Sequence, residues 1–182
     1  MNGRELAIGV TGGIAAYKTA ALVSRLVQAG AGVSVVMTRS ATKLVRPKTF
    51  EALTGRAVRT ETFGPGPHPH IELADAAELL CVAPATANLL AKAAHGLGDD
   101  LLSTLILSFR GPMILAPAMN SHMWQKPAVR RNVEQLRADR FVLIEPEEGY
   151  LSCGAVGPGR MASPEKIFQV IADTLAAADS RP

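Results

Sequence analysis

The sequence predicts an α/β domain with a doubly wound parallel sheet and helices on both faces. Apolar runs of strand length alternate along the chain with segments of helical period, which is the pattern of a parallel sheet covered on both sides. The length of 182 residues and the hydrophobic content of 48% fit one compact domain with a full core. We therefore expect a single domain over residues 1–182.

Each predicted element has a local signal in the sequence. Strands are predicted at residues 6–10, 33–37, 79–83, 113–116 and 141–144, with a weak extra strand at 57–59. Helices are predicted at residues 14–29, 47–53, 88–95, 100–108, 127–138 and 164–177. Gly30 suits the end of the first helix, and Pro127 suits a first helical position. Residues 145–163, rich in Gly and Pro, are predicted to be an irregular functional loop.

Charge and cysteine content argue against several classes of function. The net charge of +3 comes from scattered basic residues without a Lys/Arg run, so no nucleic-acid partner is expected. No apolar stretch approaches the roughly 20 residues of a membrane span, so we expect a cytoplasmic protein without a membrane partner. Cys81, in an apolar run, and Cys153, in a glycine-rich segment, form neither a metal-ligand pair nor a disulfide framework.

The residues after the first two strands indicate a phosphate or flavin site, because doubly wound sheets bind ligands beyond the carboxyl ends of their strands. Residues 11–15, Thr-Gly-Gly-Ile-Ala, combine bare backbone with the amides of a helix N-terminus. Thr38 and Ser40 follow the second strand and could cradle the same phosphate. Either segment alone is also typical of an ordinary helix cap. The dinucleotide and P-loop fingerprints are absent, which disfavours NAD and ATP.

The tips of the next two strands carry a more specific set of residues. Residues 84–88, Pro-Ala-Thr-Ala-Asn, are small enough for a flat ring to lie against them. Residues 117–124 contain two methionines, the single tryptophan and Asn120, a combination that helix capping does not require. The amide of Asn120 can donate to a carboxylate, and methionines form an adaptable apolar wall. A helix cap is the alternative role for Asn120.

Five separate segments also match one protein family in chain order. They are residues 9–18, the His-Ile-Glu-Leu of 70–73, 84–88, 117–120 with 123–124, and Gly154 with 157–161. On these segments the chain resembles the homo-oligomeric flavin-containing cysteine decarboxylases. The resemblance implies a single flavodoxin-like (Rossmann-like) domain that binds FMN and works as a trimer or as a dodecamer assembled from trimers. It implies FMN contacts from Gly13, Ile14, Ala15, Thr38, Ser40, Thr86, Ala87, Asn88, Ala118 and Met119.

The same resemblance implies four catalytic residues. In the family the cysteine thiol is oxidised to a thioaldehyde, whose C=S group accepts the electrons of the departing carboxylate. His70 would reach a flavin held by a neighbouring subunit and serve the proton transfer that accompanies thiol oxidation, and Asn120 would hold the substrate carboxylate. Met123 would wall the site, and Cys153, within a substrate clamp at 145–163, would help to reduce the product. His68 lies two residues from His70, and only the family match favours His70.

Two substrate classes fit this resemblance, both of them molecules that end in cysteine. Ser152 before Cys153 and Ala155 after Gly154 differ from the residues usual at these positions in the pantothenate enzymes. We also expect a free-standing enzyme. The Ala- and Arg-rich composition resembles that of high-GC bacteria. These features slightly favour the C-terminal cysteine of a ribosomally made precursor peptide. The alternative is 4'-phosphopantothenoylcysteine of coenzyme A biosynthesis, which Cys153 keeps open. A flavin prenyltransferase and a non-catalytic FMN-binding regulatory protein are remoter alternatives.

Overall fold

Five parallel strands form the central sheet of this computed structural model, which describes residues 1–63, 68–151, 154 and 156–179. The strands are β1 (Glu5–Val10), β2 (Gly32–Met37), β3 (Leu79–Ala85), β4 (Met113–Pro117) and β5 (Val142–Leu143). Their order is β2-β1-β3-β4-β5, and every pairing is parallel. The chain order reverses between β1 and β3, the position at which doubly wound sheets bind ligands. The predicted doubly wound parallel sheet is confirmed.

Helices cover both faces of the sheet, as predicted. In the described part of the chain they are α1 (Ala16–Gln28), α2 (Pro47–Thr54), α3 (Pro69–Ala76), α4 (Ala87–Ala94), α5 (Leu101–Ser108), α6 (Ser121–Trp124), α7 (Pro127–Ala138) and α8 (Pro164–Asp179), with a short 3₁₀ turn at Ala41–Lys43. Buried side chains of α1, α2 and α8 form one apolar cluster, and those of α3, α4, α5 and α7 form another. No described helix is both long and apolar enough to cross a bilayer.

The strands are buried on both faces, which explains their nearly continuous apolar runs. In β1, Leu6 and Ile8 belong to the cluster with α1 and α8, whereas Ala7 belongs to the opposite cluster. This division follows from the alternation of side chains along a strand. In β3, every residue from Leu79 to Ala85 is buried. The sheet is therefore the middle layer of a three-layer core.

Several segments differ from the prediction. Residues 57–59 form no strand, only an isolated bridge between Val36 and Arg59. The irregular loop predicted at 145–163 is wrong in part, because it contains an antiparallel ribbon of β6 (Glu147–Tyr150) and β7 (Val156–Arg160). Helices α3 and α6 and the 3₁₀ turn lie in segments without a predicted helix. The ribbon lacks the apolar alternation of a half-buried strand, and α3 buries only Pro69 and Leu73, so neither has a strong periodic signal.

Candidate active site

A cavity of about 580 Å³ lies at the carboxyl edge of the sheet, beside the reversal point. Small-molecule sites commonly measure roughly 300–1,000 Å³. The walls come from the loops after β1, β3 and β4 and from the ribbon. The lining residues are Gly12, Gly13, Ile14, Ala15, Tyr17, Lys18, Thr86, Ala87, Ala118, Met119, Asn120, Met123, Tyr150, Leu151, Gly159, Arg160 and Met161. The cavity thus brings together seven of the ten residues expected to contact FMN.

The turn after β1 is fixed against the end of β3 by a buried threonine. Thr11 Oγ1 donates to the carbonyl oxygen of Pro84 (2.6 Å) and accepts from the backbone N–H of Thr86 (3.2 Å). A Cβ added at Gly13 would lie 3.3 Å from Pro84 Cγ, tighter than ordinary van der Waals contact. Gly13 therefore brings bare backbone to the cavity wall, where a flat ligand can approach closely.

Three residues expected to contact FMN do not line this cavity. A Cβ at Gly12 would overlap the Cβ of Ser40, so Ser40 packs against the turn after β1 without reaching the lining. Thr38 Oγ1 accepts from the backbone N–H of Ala41 (3.3 Å). Asn88 is exposed near the start of α4. The phosphate cradle of Thr38 and Ser40 stays a prediction, supported by their position beside the turn after β1.

Asn120 caps a helix and also lines the cavity. Its Oδ1 accepts from the backbone N–H of His122 (2.8 Å) and caps α6, while the residue also lines the cavity. Because the cap fixes Oδ1 as an acceptor, the opposite end of the amide is a donor, which is the polarity that a carboxylate requires. Met119 and Met123 lie in the same lining, and the side chain of Met123 is half exposed.

The ribbon closes one side of the cavity through backbone contacts. The N–H of Met119 donates to the carbonyl oxygen of Gly159 (2.9 Å), and a Cβ at Gly159 would overlap the carbonyl oxygen of Met119. A Cβ at Gly157 would lie 2.8 Å from the buried hydroxyl oxygen of Ser121. Two glycines of β7 therefore permit close docking on the loop that carries Asn120. Cys153 lies outside the described residues.

His70 is separate from this cavity within one chain. It is the second residue of α3, is partly buried and is not a lining residue. Its Nδ1 is buried and has no hydrogen-bond partner in the part of the chain that the structure describes. His68 is exposed at the N-cap of the same helix, with the two rings 6.2 Å apart. The unsatisfied ring nitrogen of His70 supports the choice of this histidine over His68.

Several lining residues have no role predicted from the sequence, above all the two cations. Lys18 and Arg160 are the charged residues of the described lining. The pKa of Lys18 is lowered first by burial and then by the charge of Arg160, against an opposing effect of Glu147. Both cations lie in segments that match the family, residues 9–18 and 157–161, but sequence alone does not show that the two segments meet.

The residues of the cavity fit a flavin. Small side chains and bare backbone at Gly12, Gly13, Ala87 and Ala118 offer flat surfaces, and the first turn of α1 has neither a side-chain cap nor an acidic residue. An anionic phosphate is favoured at such a helix end. The lining is predominantly apolar, as expected around a ring system.

Whole-chain comparisons with known proteins agree with this geometry. The Flavoprotein family model matches residues 1–176. The chain is 49% identical over 185 aligned residues to the coenzyme A biosynthesis bifunctional protein CoaBC of Bacillus subtilis, an alignment that covers 100% of the chain and 46% of that protein. It is 45% identical over 165 residues to the CoaBC of Mycobacterium tuberculosis, with coverage of 90% and 40%. The chain thus spans less than half the length of these curated relatives.

Solved structures of similar proteins match over nearly the whole chain. The FMN-dependent cysteine decarboxylase SpaF has a TM-score of 0.86 and 36% identity, with 98% of each chain covered. A PPC decarboxylase mutant complexed with pantothenoylaminoethenethiol has a TM-score of 0.84 and 29% identity, with coverage of 93% and 96%. MrsD from a Bacillus species has a TM-score of 0.83 and 31% identity, with coverage of 94% and 95%. The predicted flavodoxin-like fold is thereby confirmed.

Proposed function

We propose that this chain, which belongs to the Flavoprotein family and to its FMN-dependent cysteine decarboxylases, oxidatively decarboxylates a substrate that ends in cysteine. The carboxylate leaves as carbon dioxide, and the rest of the cysteine becomes an enethiol. The predicted family and FMN cofactor are confirmed at the level of the family. The observation that carries the proposal is the meeting of Asn120, Met119 and Met123 with the glycine turn after β1 in one cavity. One side of that cavity suits a flavin, and the other suits a small carboxylate.

The chain's own residues would hold FMN at the carboxyl edge of the sheet. Gly13 and Ile14 would contact it through backbone at the start of α1, and Ala87 and Ala118 would lie against its ring. When bound, FMN supplies a two-electron acceptor for thiol oxidation. Met119 and Met123 would pack around the sulfur-bearing group and exclude water, since thioethers adapt to irregular apolar shapes.

In the proposed reaction, Asn120 would bind the substrate carboxylate and His70 would accept the thiol proton. The amide nitrogen of Asn120 would donate to the substrate carboxylate while its oxygen keeps the α6 cap. His70 would take the thiol proton, because an imidazole exchanges protons near neutral pH. Thiol oxidation would leave a C=S group on the substrate. Loss of carbon dioxide would then turn the electron pair of the broken C–C bond into a C=C bond, while the sulfur takes the C=S pair and a proton, which gives the enethiol.

The division of these residues supports an assembly in which the site is shared. His70 lies outside the cavity lining of its own chain, and its buried Nδ1 has no partner among the described residues. A neighbouring subunit that places its cavity against α3 would give this nitrogen a function. We therefore propose a homotrimer, or a dodecamer assembled from trimers.

Two substrate classes, a cysteine-ended precursor peptide and 4'-phosphopantothenoylcysteine, each have support. The C-terminal cysteine of a precursor peptide, which the sequence slightly favours, stays a proposal. One observation favours the alternative, 4'-phosphopantothenoylcysteine: the full-length alignment at 49% identity is with a protein named for coenzyme A biosynthesis, whereas SpaF is 36% identical. We place phosphopantothenoylcysteine first and retain the peptide as the second candidate.

Mass spectrometry of the yellow holoprotein with each substrate tests this proposal. We expect phosphopantothenoylcysteine to lose carbon dioxide, with or without two hydrogens according to whether the flavin electrons return to the product. Loss of carbon dioxide and two hydrogens from a cysteine-ended peptide alone would select the second candidate. Loss from neither substrate would refute the decarboxylase function.

Mixing two inactive variants tests the shared site. His70→Asn and Asn120→Ala homo-oligomers should each be inactive. When the two are unfolded and refolded together, some sites would combine an intact His70 from one chain with an intact Asn120 from another, and activity should return. If each site lies within one chain, the mixture should recover no activity. As a control, both variants should keep the oligomeric state and the bound flavin.

A further inference from the structure

The cavity wall carries two cations and, among the described lining residues, no carboxylate. Lys18 lies in the first turn of α1, and Arg160 is the last residue of β7. They come from segments far apart in the chain, and the fold brings them to one cavity. In the rest of that lining the side chains are apolar or uncharged. A site for an uncharged substrate has no need of this arrangement.

The two charges are close enough to oppose each other. Burial and the charge of Arg160 both lower the pKa of Lys18. Glu147 has the opposite effect, but its Oε1 accepts from the backbone N–H of Ser163 (3.2 Å), and no described carboxylate forms an ion pair with either cation. Like charges held close together cost free energy in the folded chain, and such arrangements concentrate at functional sites.

The ribbon holds the stem of Arg160 in place. On the ribbon, a Cβ added at Gly149 would lie 3.0 Å from Nη1 of Arg160 and 3.1 Å from its Cδ. The bare glycine therefore lets the arginine stem lie across the neighbouring strand.

We infer that Lys18 and Arg160 form a subsite for a phosphate-like anion that the substrate carries at a distance from its cysteine carboxylate. The inference rests on the cysteine decarboxylase function proposed above and assigns a specificity-determining role to two residues of that site. A guanidinium binds phosphate through paired hydrogen bonds, and a lysine adds a point charge. The pair would favour a phosphorylated substrate over the same molecule without its phosphate.

A matched pair of substrates tests the subsite in the purified holoprotein. Decarboxylation of phosphopantothenoylcysteine is compared with that of pantothenoylcysteine, which lacks only the phosphate. We expect the wild type to prefer the phosphorylated substrate in kcat/KM. Arg160→Gln and Lys18→Gln should each reduce this preference by about tenfold or more, the size of a lost charge-assisted hydrogen bond. The loss should appear as a higher KM for the phosphorylated substrate. Arg160→Lys should keep part of the preference that Arg160→Gln loses.

Exposed cations away from the cavity provide the controls. Lys166→Gln on α8 and Arg131→Gln on α7 remove a similar charge from the surface and should leave the preference unchanged. An unchanged preference in Arg160→Gln would overturn the inference. Loss of bound flavin from the Lys18 or Arg160 variants, measured by absorbance, would also overturn it, because the pair would then serve the cofactor.

A binding measurement keeps the inference separate from the proposed reaction. Calorimetry with 4'-phosphopantetheine and pantetheine, which have no carboxylate to lose, should show phosphate-dependent binding that Arg160→Gln weakens. If cysteine substrates react but the phosphate affects neither KM nor binding, the subsite is wrong and the decarboxylase function stands. If phosphate-dependent binding occurs without decarboxylation of any cysteine substrate, the subsite stands and the proposed function fails.

Discussion

Replacement of Gly159 by alanine should detach the ribbon from the loop that carries Asn120. The carbonyl oxygen of Gly159 accepts from the N–H of Met119, and an added Cβ would overlap the carbonyl oxygen of Met119. Gly159 also has φ +131°, a backbone conformation that L side chains rarely adopt. Gly159→Ala therefore combines backbone strain with a steric clash at a docking contact.

The expected magnitude follows from these two effects. Backbone strain of this kind costs on the order of 1–3 kcal/mol, and the lost hydrogen bond contributes about 0.5–1.5 kcal/mol. Gly154→Ala is a matched control, since Gly154 has φ +86° but no described atom within 4 Å of an added Cβ. Its cost is the left-handed backbone alone, about 1–2 kcal/mol. We expect about 2–4 kcal/mol for Gly159→Ala, limited by the free energy with which the ribbon docks.

Urea unfolding and hydrogen exchange measure this difference. Gly159→Ala should lower the free energy of unfolding more than Gly154→Ala and should accelerate exchange at the amide of Met119. The kcat/KM should fall with it, because the loop of Asn120 loses its support. Equal stability and equal Met119 exchange in the two alanine variants would refute the docking role of Gly159.

Three further predictions test the site and the core. Asn120→Ala should lose about 0.5–2 kcal/mol of stability with the cap and most of its activity, whereas Asn120→Asp should keep the cap but repel the carboxylate; an active Asp variant in the mass-spectrometric assay would contradict this. Burial raises the pKa of Cys81 to about 12, so iodoacetamide at pH 8 should label it only in urea, as peptide mapping can check. The hydrogen bond from Arg56 lowers the pKa of Glu5 below 4.5; its stabilisation is present above that value and lost as pH falls through the lower folded value. Glu5→Gln should flatten this acid limb in urea unfolding, and an unchanged limb would refute it.

The sheet could be predicted because its signal is local and strong. Strands such as β3 are buried on both faces, so their apolar runs stand out from the surrounding sequence. The loop residues at their carboxyl ends then follow from topology, since parallel strands end at one edge. This is why Gly13, Thr86, Ala118 and Asn120 were predicted and are found in one cavity.

The parts that the sequence did not predict depend on contacts between distant segments. The convergence of Lys18 and Arg160 requires α1 and β7 to meet, and neither local sequence specifies that meeting. In the proposed shared site, the placement of His70 would have a similar origin, because a residue that acts in a neighbouring chain has no partner to identify it within its own. Its buried Nδ1 becomes informative only once α3 is packed.

The ribbon shows why composition alone can mislead near a ligand site. Glycine and proline are enriched in irregular loops, and this enrichment produced the prediction for 145–163. In β7, however, Gly157 and Gly159 stand where any side chain would meet Ser121 or Met119, so the glycines permit docking and not merely turning. The ribbon and the loop of Asn120 therefore form one structural unit beside the cavity. Arg160 adjoins Gly159, so a variant that detaches the ribbon should weaken the proposed anion selectivity together with the proposed carboxylate binding.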